Sequence, residues 1–135
     1  MNAYPHLAEG LTGYLHCPDE KYIKPNVFMD LSADIWIDGG VIISDGAMLY
    51  THEHDHSIGS GHLPVHAKSK TIRADVYIGA RAIILPNCEY IAKGVVIAAG
   101  AVVTKSIPDS FENTIWGGNP AVLIKPRPPG EFSFT

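Results

Sequence analysis

Two cysteines in 135 residues, no long apolar run and no excess of positive charge set the first limits on this chain. Cys17 and Cys88 are too few for the disulfide framework of a small secreted domain, and they are expected to stay unpaired in a cytoplasmic protein. No apolar stretch approaches the roughly 20 residues that a membrane span requires, so no membrane partner is expected. The segment 1–10 carries neither a basic region nor an apolar core, so no signal peptide is expected. A net charge of −4 with no basic stripe argues against a nucleic-acid partner. The length suits one domain, and a hydrophobic content of 46% is enough to build its core.

That hydrophobic content is spaced in an unusual way. An aliphatic residue recurs at every sixth position: Leu31, Ile37, Ile43 and Leu49, then Ile72, Ile78 and Ile84, then Ile91, Ile97 and Val103. Four places after each anchor stands a small or aliphatic residue: Ile35, Val41, Ala47, Val76, Ala82, Cys88, Val95, Ala101 and Ile107. Between them lies turn chemistry, as in Gly39-Gly40, Asp45-Gly46, Lys93-Gly94 and Ala99-Gly100. A helix would show a period of 3.6 and an ordinary strand a period of 2. A period of six predicts short strands joined by tight bends, repeated along the chain.

Three hexads close one turn of a triangular coil, and anchors from successive turns stack inside it. Each rung buries too little apolar surface to stand alone, so stability comes from neighbour on neighbour. The pattern divides the chain into a lead-in or cap over 1–24, a coil over 25–108, and a tail over 109–135 that includes a proline-rich stretch at 118–130. Two breaks interrupt the rhythm. Residues 52–71 form a long excursion of the kind that is usually functional or disordered. Seven places, not six, separate Ile84 from Ile91, which reads as a bulge at a corner. Cys88 occupies an inward phase and acts there as a small hydrophobe.

The residue before each anchor should face outward, yet it is apolar in Trp36, Ile42, Met48, Tyr77, Ile83, Val96 and Val102. The phase places Val96 over Tyr77 and Val102 over Ile83, making stripes instead of scatter. Apolar stripes on a small protein mark an interface. A homo-oligomer follows, and the three-sided section favours a closed trimer.

The segments Ile78-Gly79-Ala80-Arg81-Ala82-Ile83-Ile84-Leu85-Pro86, Ile97-Ala98-Ala99-Gly100-Ala101-Val102-Val103-Thr104-Lys105 and Gly117-Gly118-Asn119-Pro120-Ala121 resemble the hexapeptide-repeat acyltransferases. The chain is most similar to their maltose, galactoside and xenobiotic acetyltransferase branch, over residues 25–127. The resemblance implies an all-β, left-handed parallel β-helix, a homotrimer with sites between subunits, and acyl transfer from acetyl-CoA to a hydroxyl or amine of a small acceptor such as a sugar. No metal is required in that scheme.

Attack on a thioester needs a base, and histidine suits the task near neutral pH. His52, His54 and His56 cluster at the mouth of the excursion. Counting from Leu49, His54 falls on the outward phase, His52 at a corner and His56 beyond the register. The family's catalytic histidine aligns with His54 as well, so His54 is the expected base. No serine or cysteine has a convincing nucleophile setting, so direct attack is expected. The resemblance further implies a backbone N–H at Ala80 near the thioester, small residues Ala80 and Ala99 lining the pantetheine groove, and Thr104 and Lys105 as coenzyme A contacts. Relatives often carry a basic residue where this chain has Val122, so Lys125 and Arg127 are the available substitutes. Asp30 and Asp34 align with acceptor-holding polar residues, with turn formation the competing reading, and Asp30 also has the outward phase. Tyr77 stands where tryptophan is common, on the acceptor or pantetheine wall.

An alternative is a zinc enzyme like the gamma-class carbonic anhydrases, which share the fold and use three histidines between subunits. Of the seven histidines, His62 and His66 lie four apart in the irregular excursion and lack that spacing. A third reading is an inert β-helix used for assembly.

Overall fold

The computed structural model describes residues 4–6, 12–59, 61 and 63–128. Turn chemistry sets its corners. Three residues beyond an inward anchor the backbone enters the left-handed region: Gly40, Gly46, Gly94 and Gly100 have φ between 72° and 75°, and Asp75 and Arg81 take φ 60° at the same place. Glycine adopts this conformation without steric cost and aspartate tolerates it through local hydrogen bonding. Arg81 has neither advantage and depends on the coil around it.

The short segments between corners stack into three sheets. The first holds β2 (Leu15–His16), β4 (Ile35–Ile37), β9 (Lys70–Ile72) and β12 (Tyr90–Ile91). The second holds β5 (Ile42–Ile43), β10 (Tyr77–Ile78), β13 (Val96–Ile97), β15 (Thr114–Gly117) and β16 (Val122–Pro126). The third holds β1 (Tyr4–His6), β3 (Phe28–Asp30), β6 (Met48–Leu49), β11 (Ile83–Ile84) and β14 (Val102–Val103). All pairings within them are parallel except β15 with β16. The expected anchors form the ladders Ile37–Ile72–Ile91, Ile43–Ile78–Ile97 and Leu49–Ile84–Val103. They and the second inward phase, from Ile35 to Ile107, are buried. At the start the ladder differs from the hexad count: Met29, not Leu31, pairs with Leu49, while Leu31 lies at the following corner, also buried.

The excursion has structure of its own. After Thr51 the chain leaves the coil as β7 (His52–His54), makes a single 3₁₀ turn over His56–Ile58, and returns as β8 (Val65–Ala67), antiparallel to β7. The Lys68 N–H donates to the Thr51 carbonyl at 2.8 Å, which closes the hairpin at its base. The hexad register therefore stops before His54, and counting phases from Leu49 does not fix where that side chain points. His62 lies outside the described residues, as do 1–3 and 7–11 of the lead-in and 129–135 of the tail.

The extra residue before Ile91 has an explanation that the pattern does not reveal. Lys70, aligned with Ile35 in the first sheet, is fully buried, and its Nζ donates to the Leu85 carbonyl at 3.1 Å and to the Cys88 carbonyl. A buried ammonium thus satisfies carbonyls at the bulged corner.

Both ends of the stack carry flanking chain. At the first, Asp34 accepts from Tyr14 N–H and pairs with His16 Nε2, each at 2.9 Å, while the His16 ring stacks on Trp36 at 3.6 Å between centroids. Asp34 therefore fastens the lead-in to the coil. At the other end β16 runs antiparallel along β15 as the sheet edge, with Val122, Leu123 and Ile124 exposed. Of the expected stripe, Trp36, Ile42, Met48 and Tyr77 are exposed and Ile83, Val96 and Val102 half-buried.

At Gly79 one turn of the coil lies directly against the backbone of the next. A Cβ there would meet Ala99 N at 2.6 Å and the Ile97 carbonyl oxygen at 2.8 Å, both backbone atoms of the next turn. At Gly39 a Cβ meets nothing within 4 Å. Gly79→Ala is expected to destabilise by about 1–3 kcal/mol through overpacking, whereas Gly39→Ala stays within about 1 kcal/mol of the parent. Urea midpoints at constant m-value measure both.

Candidate active site

The corner that follows the third sheet is the richest in chemistry. Successive turns place Tyr50, Leu85 and Thr104 one residue past the paired positions Leu49, Ile84 and Val103. These three, with His52, Glu53, Pro86 and Asn87, line a cleft of about 320 Å³. Thr104 and the first hairpin residues therefore share one opening. His54 lies on the adjoining flank with Asp55, His56 and His66.

Beneath the hairpin sits a buried polar knot around Asp30. Its Oδ1 accepts from Ser32 N–H at 3.0 Å and from Ser32 Oγ at 2.6 Å. Its Oδ2 accepts from Thr51 N–H and His52 N–H, both at 3.0 Å, and meets His52 Nδ1 at 2.5 Å. Thr51 Oγ1 donates to the Asp30 carbonyl at 2.8 Å and accepts from Ala33 N–H at 3.1 Å. Burial pushes the Asp30 carboxyl up, but the hydrogen bonds from Ser32, Thr51 and His52 outweigh it and hold the group below the usual carboxylate range.

The expected outward phase of Asp30 is thus corrected: it follows Met29 on β3 and is fully buried, both oxygens engaged by its own chain. His52, assigned only to a corner by spacing, is the histidine that this carboxylate holds. The signal for it was a polar residue beside a true inward anchor, two residues before Ser32. The other hairpin histidines are less enclosed. His54 is exposed, its Nδ1 lies 3.5 Å from the Leu63 carbonyl oxygen, and its ring meets that of His52 edge-on at 5.6 Å between centroids. His66 Nε2 lies 3.3 Å from Asp55, whose carboxyl is held below its usual range by Ser57 and His66. His56 is exposed. Among the described residues no three His, Cys, Asp or Glu side chains gather as a metal-ion site.

The remaining expected residues occupy other surfaces. Ala80 and Ala99 lie at the corner between the second and third sheets, half-buried and exposed respectively, and Gly100 N–H donates to the Ala80 carbonyl at 2.9 Å. Lys105 follows Thr104 and is exposed. Tyr77 lies on the second sheet, its hydroxyl accepting from Ser44 Oγ at 3.1 Å. It lines a separate cleft of about 630 Å³ with Ile42, Val96, Asn113 and Arg127. The Arg127 guanidinium donates to the Asp75 and Gly94 carbonyls at 2.9 and 3.0 Å, so it pins the tail to the coil, while Lys125 is exposed on β16. Within one chain the hairpin histidines and Tyr77 therefore line different clefts on different sheets.

Triangular section, parallel rungs and left-handed corner residues at fixed phase define a hexapeptide-repeat β-helix. No family profile matches the sequence. The chain is similar to a Staphylococcus aureus 2,3,4,5-tetrahydropyridine-2,6-dicarboxylate N-acetyltransferase, 42% identical over 62 residues that cover 46% of this chain and 24% of that one. It is also similar to a candidate acetyltransferase of Saccharomyces cerevisiae, 31% identical over 112 residues that cover 82% of this chain and 55% of that one. The chain thus spans from about a quarter to about half the length of these relatives.

Among solved structures, a hexapeptide-repeat acetyltransferase of Vibrio cholerae superposes with a TM-score of 0.67 at 25% identity, covering 96% of this chain and 74% of that one. That enzyme has also been solved with acetyl-coenzyme A. A maltose O-acetyltransferase of Clostridium difficile gives 0.62 at 26% identity, covering 95% and 71%. An N-acyltransferase of Bacillus cereus, solved with dTDP and coenzyme A, gives 0.67 at 22% identity over 94% and 72%. The fold is the left-handed parallel β-helix of these hexapeptide-repeat acetyltransferases, and the sequence is similar to theirs.

Proposed function

We propose that this chain is an acetyl-CoA-dependent acetyltransferase acting on a hydroxyl or amine of a sugar or similar small acceptor. The observation that carries the reading is the β7 histidine pair beside the Thr104 cleft, on a coil whose structural counterparts are acyltransferases. In this scheme His54 takes the acceptor proton as the acceptor attacks the thioester carbonyl directly; the tetrahedral intermediate then collapses, its C–S bond breaks, and coenzyme A leaves as the thiol with the proton returned from His54. The Ala80 N–H steadies the oxyanion, as fixed backbone donors do in acyl transfer. Ala80 and Ala99 leave room for the pantetheine arm, Thr104 and Lys105 hold its far end, and the exposed Lys125 offers a further cation. Arg127 contributes mainly by fixing the tail that bears Lys125. Asp34 and Tyr77 border the acceptor, and Asp30 acts from behind His52. The apolar stripes support a homotrimer, in which one copy's Tyr77 sheet faces the hairpin of the next.

Titration calorimetry of acetyl-CoA on chelator-treated protein tests the class. Saturable binding in the micromolar range with acetyl transfer to a sugar supports it. No binding, with zinc in the untreated protein, favours the carbonic-anhydrase-like alternative. Lys105→Ala is expected to raise the acetyl-CoA KM on the order of tenfold, the worth of one charge-assisted contact, while kcat falls less. An unchanged KM removes Lys105 from the phosphate site.

A further inference from the structure

The scheme above sets Asp30 behind His52 without saying what the pair does, although both oxygens of its carboxylate are engaged. The neighbours of His52 Nδ1 fix its proton. Asp30 Oδ2 accepts only, and the Ser32 hydroxyl has turned its hydrogen to Asp30 Oδ1, so its oxygen faces Nδ1 as an acceptor at 3.1 Å. Nδ1 therefore carries hydrogen, and the tautomer of His52 is set from behind, as a buried carboxylate sets it in serine hydrolases.

What the locked ring does follows from its place on β7. Side chains two apart on a strand share a face, which brings the His52 ring against His54 at an interplanar angle of 80°. His54 is otherwise weakly held, its polar contact being the 3.5 Å approach to Leu63. A proton-accepting imidazole works only when its ring plane is fixed toward the acceptor. Among described residues, His52 supplies that fixed surface and Asp30 supplies a negative charge behind it as positive charge arrives on the pair. Among the described residues, Glu53, Asp55, His56 and His66 are the other titratable groups of the hairpin, and Lys70 is near enough to Asp30 to feel its charge.

We propose that His52, locked by Asp30 and Ser32, is a positioning residue that sets the ring orientation and proton affinity of His54. The proposal rests on the acyl-transfer reading for its kinetic consequence only. The test uses the full chain: wild type, His52→Phe, which keeps a ring but loses the nitrogens, and Ser32→Ala, a milder variant that loosens Asp30. Long-range ¹H–¹⁵N spectra of the histidine rings report tautomer and titration midpoint without requiring activity. The expected results are an Nδ1–H His52 in wild type, a displaced His54 midpoint in both variants, and a kcat lowered about 10- to 100-fold in His52→Phe, as for second partners of metal-bound histidines. The acetyl-CoA KM stays near wild type, and the acid limb of the kcat/KM profile moves with the His54 midpoint.

A purely structural pair would lower the melting temperature without moving that limb. Wild-type midpoint and pH profile in both variants overturns the proposal, as does an Nε2–H His52. Should His52→Phe fail to fold, the Ser32→Ala spectra decide alone. If wild type neither binds acetyl-CoA nor transfers acetyl, the functional reading falls, and the ring spectra still test the His52–His54 coupling.

Discussion

Turnover of the His54→Ala variant is expected to fall by about 10²- to 10⁴-fold, the span that general-base catalysis supplies, with acetyl-CoA affinity nearly unchanged. The asymmetry follows from exposure and position. His54 lines the hairpin flank with Asp55, His56 and His66 and is not part of the Thr104 cleft wall, so removing its ring takes nothing from a coenzyme A site built on Thr104, Lys105 and the Ala80–Ala99 corner. It also leaves the core intact, because the side chain is exposed. Steady-state kinetics with a thiol-detecting reagent measure kcat, and calorimetry measures binding. Comparable turnover in the variant sinks the base assignment. Loss of binding together with turnover would instead make the hairpin part of the donor site.

The second large effect concerns stability. Burial lowers the Lys70 pKa to about 8 from the ordinary 10.5, and it raises the Cys88 thiol to about 11 from 9.0. The signs oppose each other. Below pH 8 Lys70 is charged in both the folded and unfolded states, and the folded state bears the full desolvation cost. Between about 8 and 10.5 the unfolded chain holds a proton that the folded chain has lost, so stability rises with pH, by about 3 kcal/mol over the interval. Cys88 does the reverse: between 9.0 and about 11 the unfolded thiol ionises while the folded one does not, so stability declines. A rise confined to pH 8–9 and then a plateau is expected. Cys88→Ala should let the rise continue to about pH 10.5, and Lys70→Met should abolish it. Urea denaturation across pH 7–10.5 checks all three. A flat wild-type curve would mean that Lys70 keeps its proton on the buried carbonyls.

The coil was legible from sequence because its physics is periodic. Each anchor, each second inward residue and each corner glycine repeats at one phase, and the structure follows that phase from Ile35 to Ile107. Legibility failed where a single tertiary partner overrides the period. Leu31 fits the count but Met29 fits the ladder, because eight places, not six, separate Met29 from Ile37 where the chain enters the coil. Lys70 looks like a loop residue by type, and only the bulge carbonyls explain its burial. The histidine cluster is visible in the sequence, yet one of the two grounds for choosing His54, the phase count, uses a register that the antiparallel hairpin abandons, and the family resemblance alone is left to favour it. The Asp30–His52 contact joins residues 22 apart across two turns, and no spacing rule encodes it. Nor does spacing encode the side-chain partners of Asp34, which lie upstream in the lead-in at Tyr14 and His16.

The contact between Lys68 N–H and the Thr51 carbonyl gives the hairpin the character of a detachable cassette. The chain leaves and re-enters the stack at neighbouring points, so Leu49 and Ile72 keep their rungs whatever is threaded between them. Such an architecture separates two demands: the prism keeps its shape through backbone geometry, while the detour can lengthen, shorten or change its polar cargo at little thermodynamic risk. On the proposed function, a change of acceptor then needs only edits to one ribbon, whose base is already clamped by the Asp30 carboxylate.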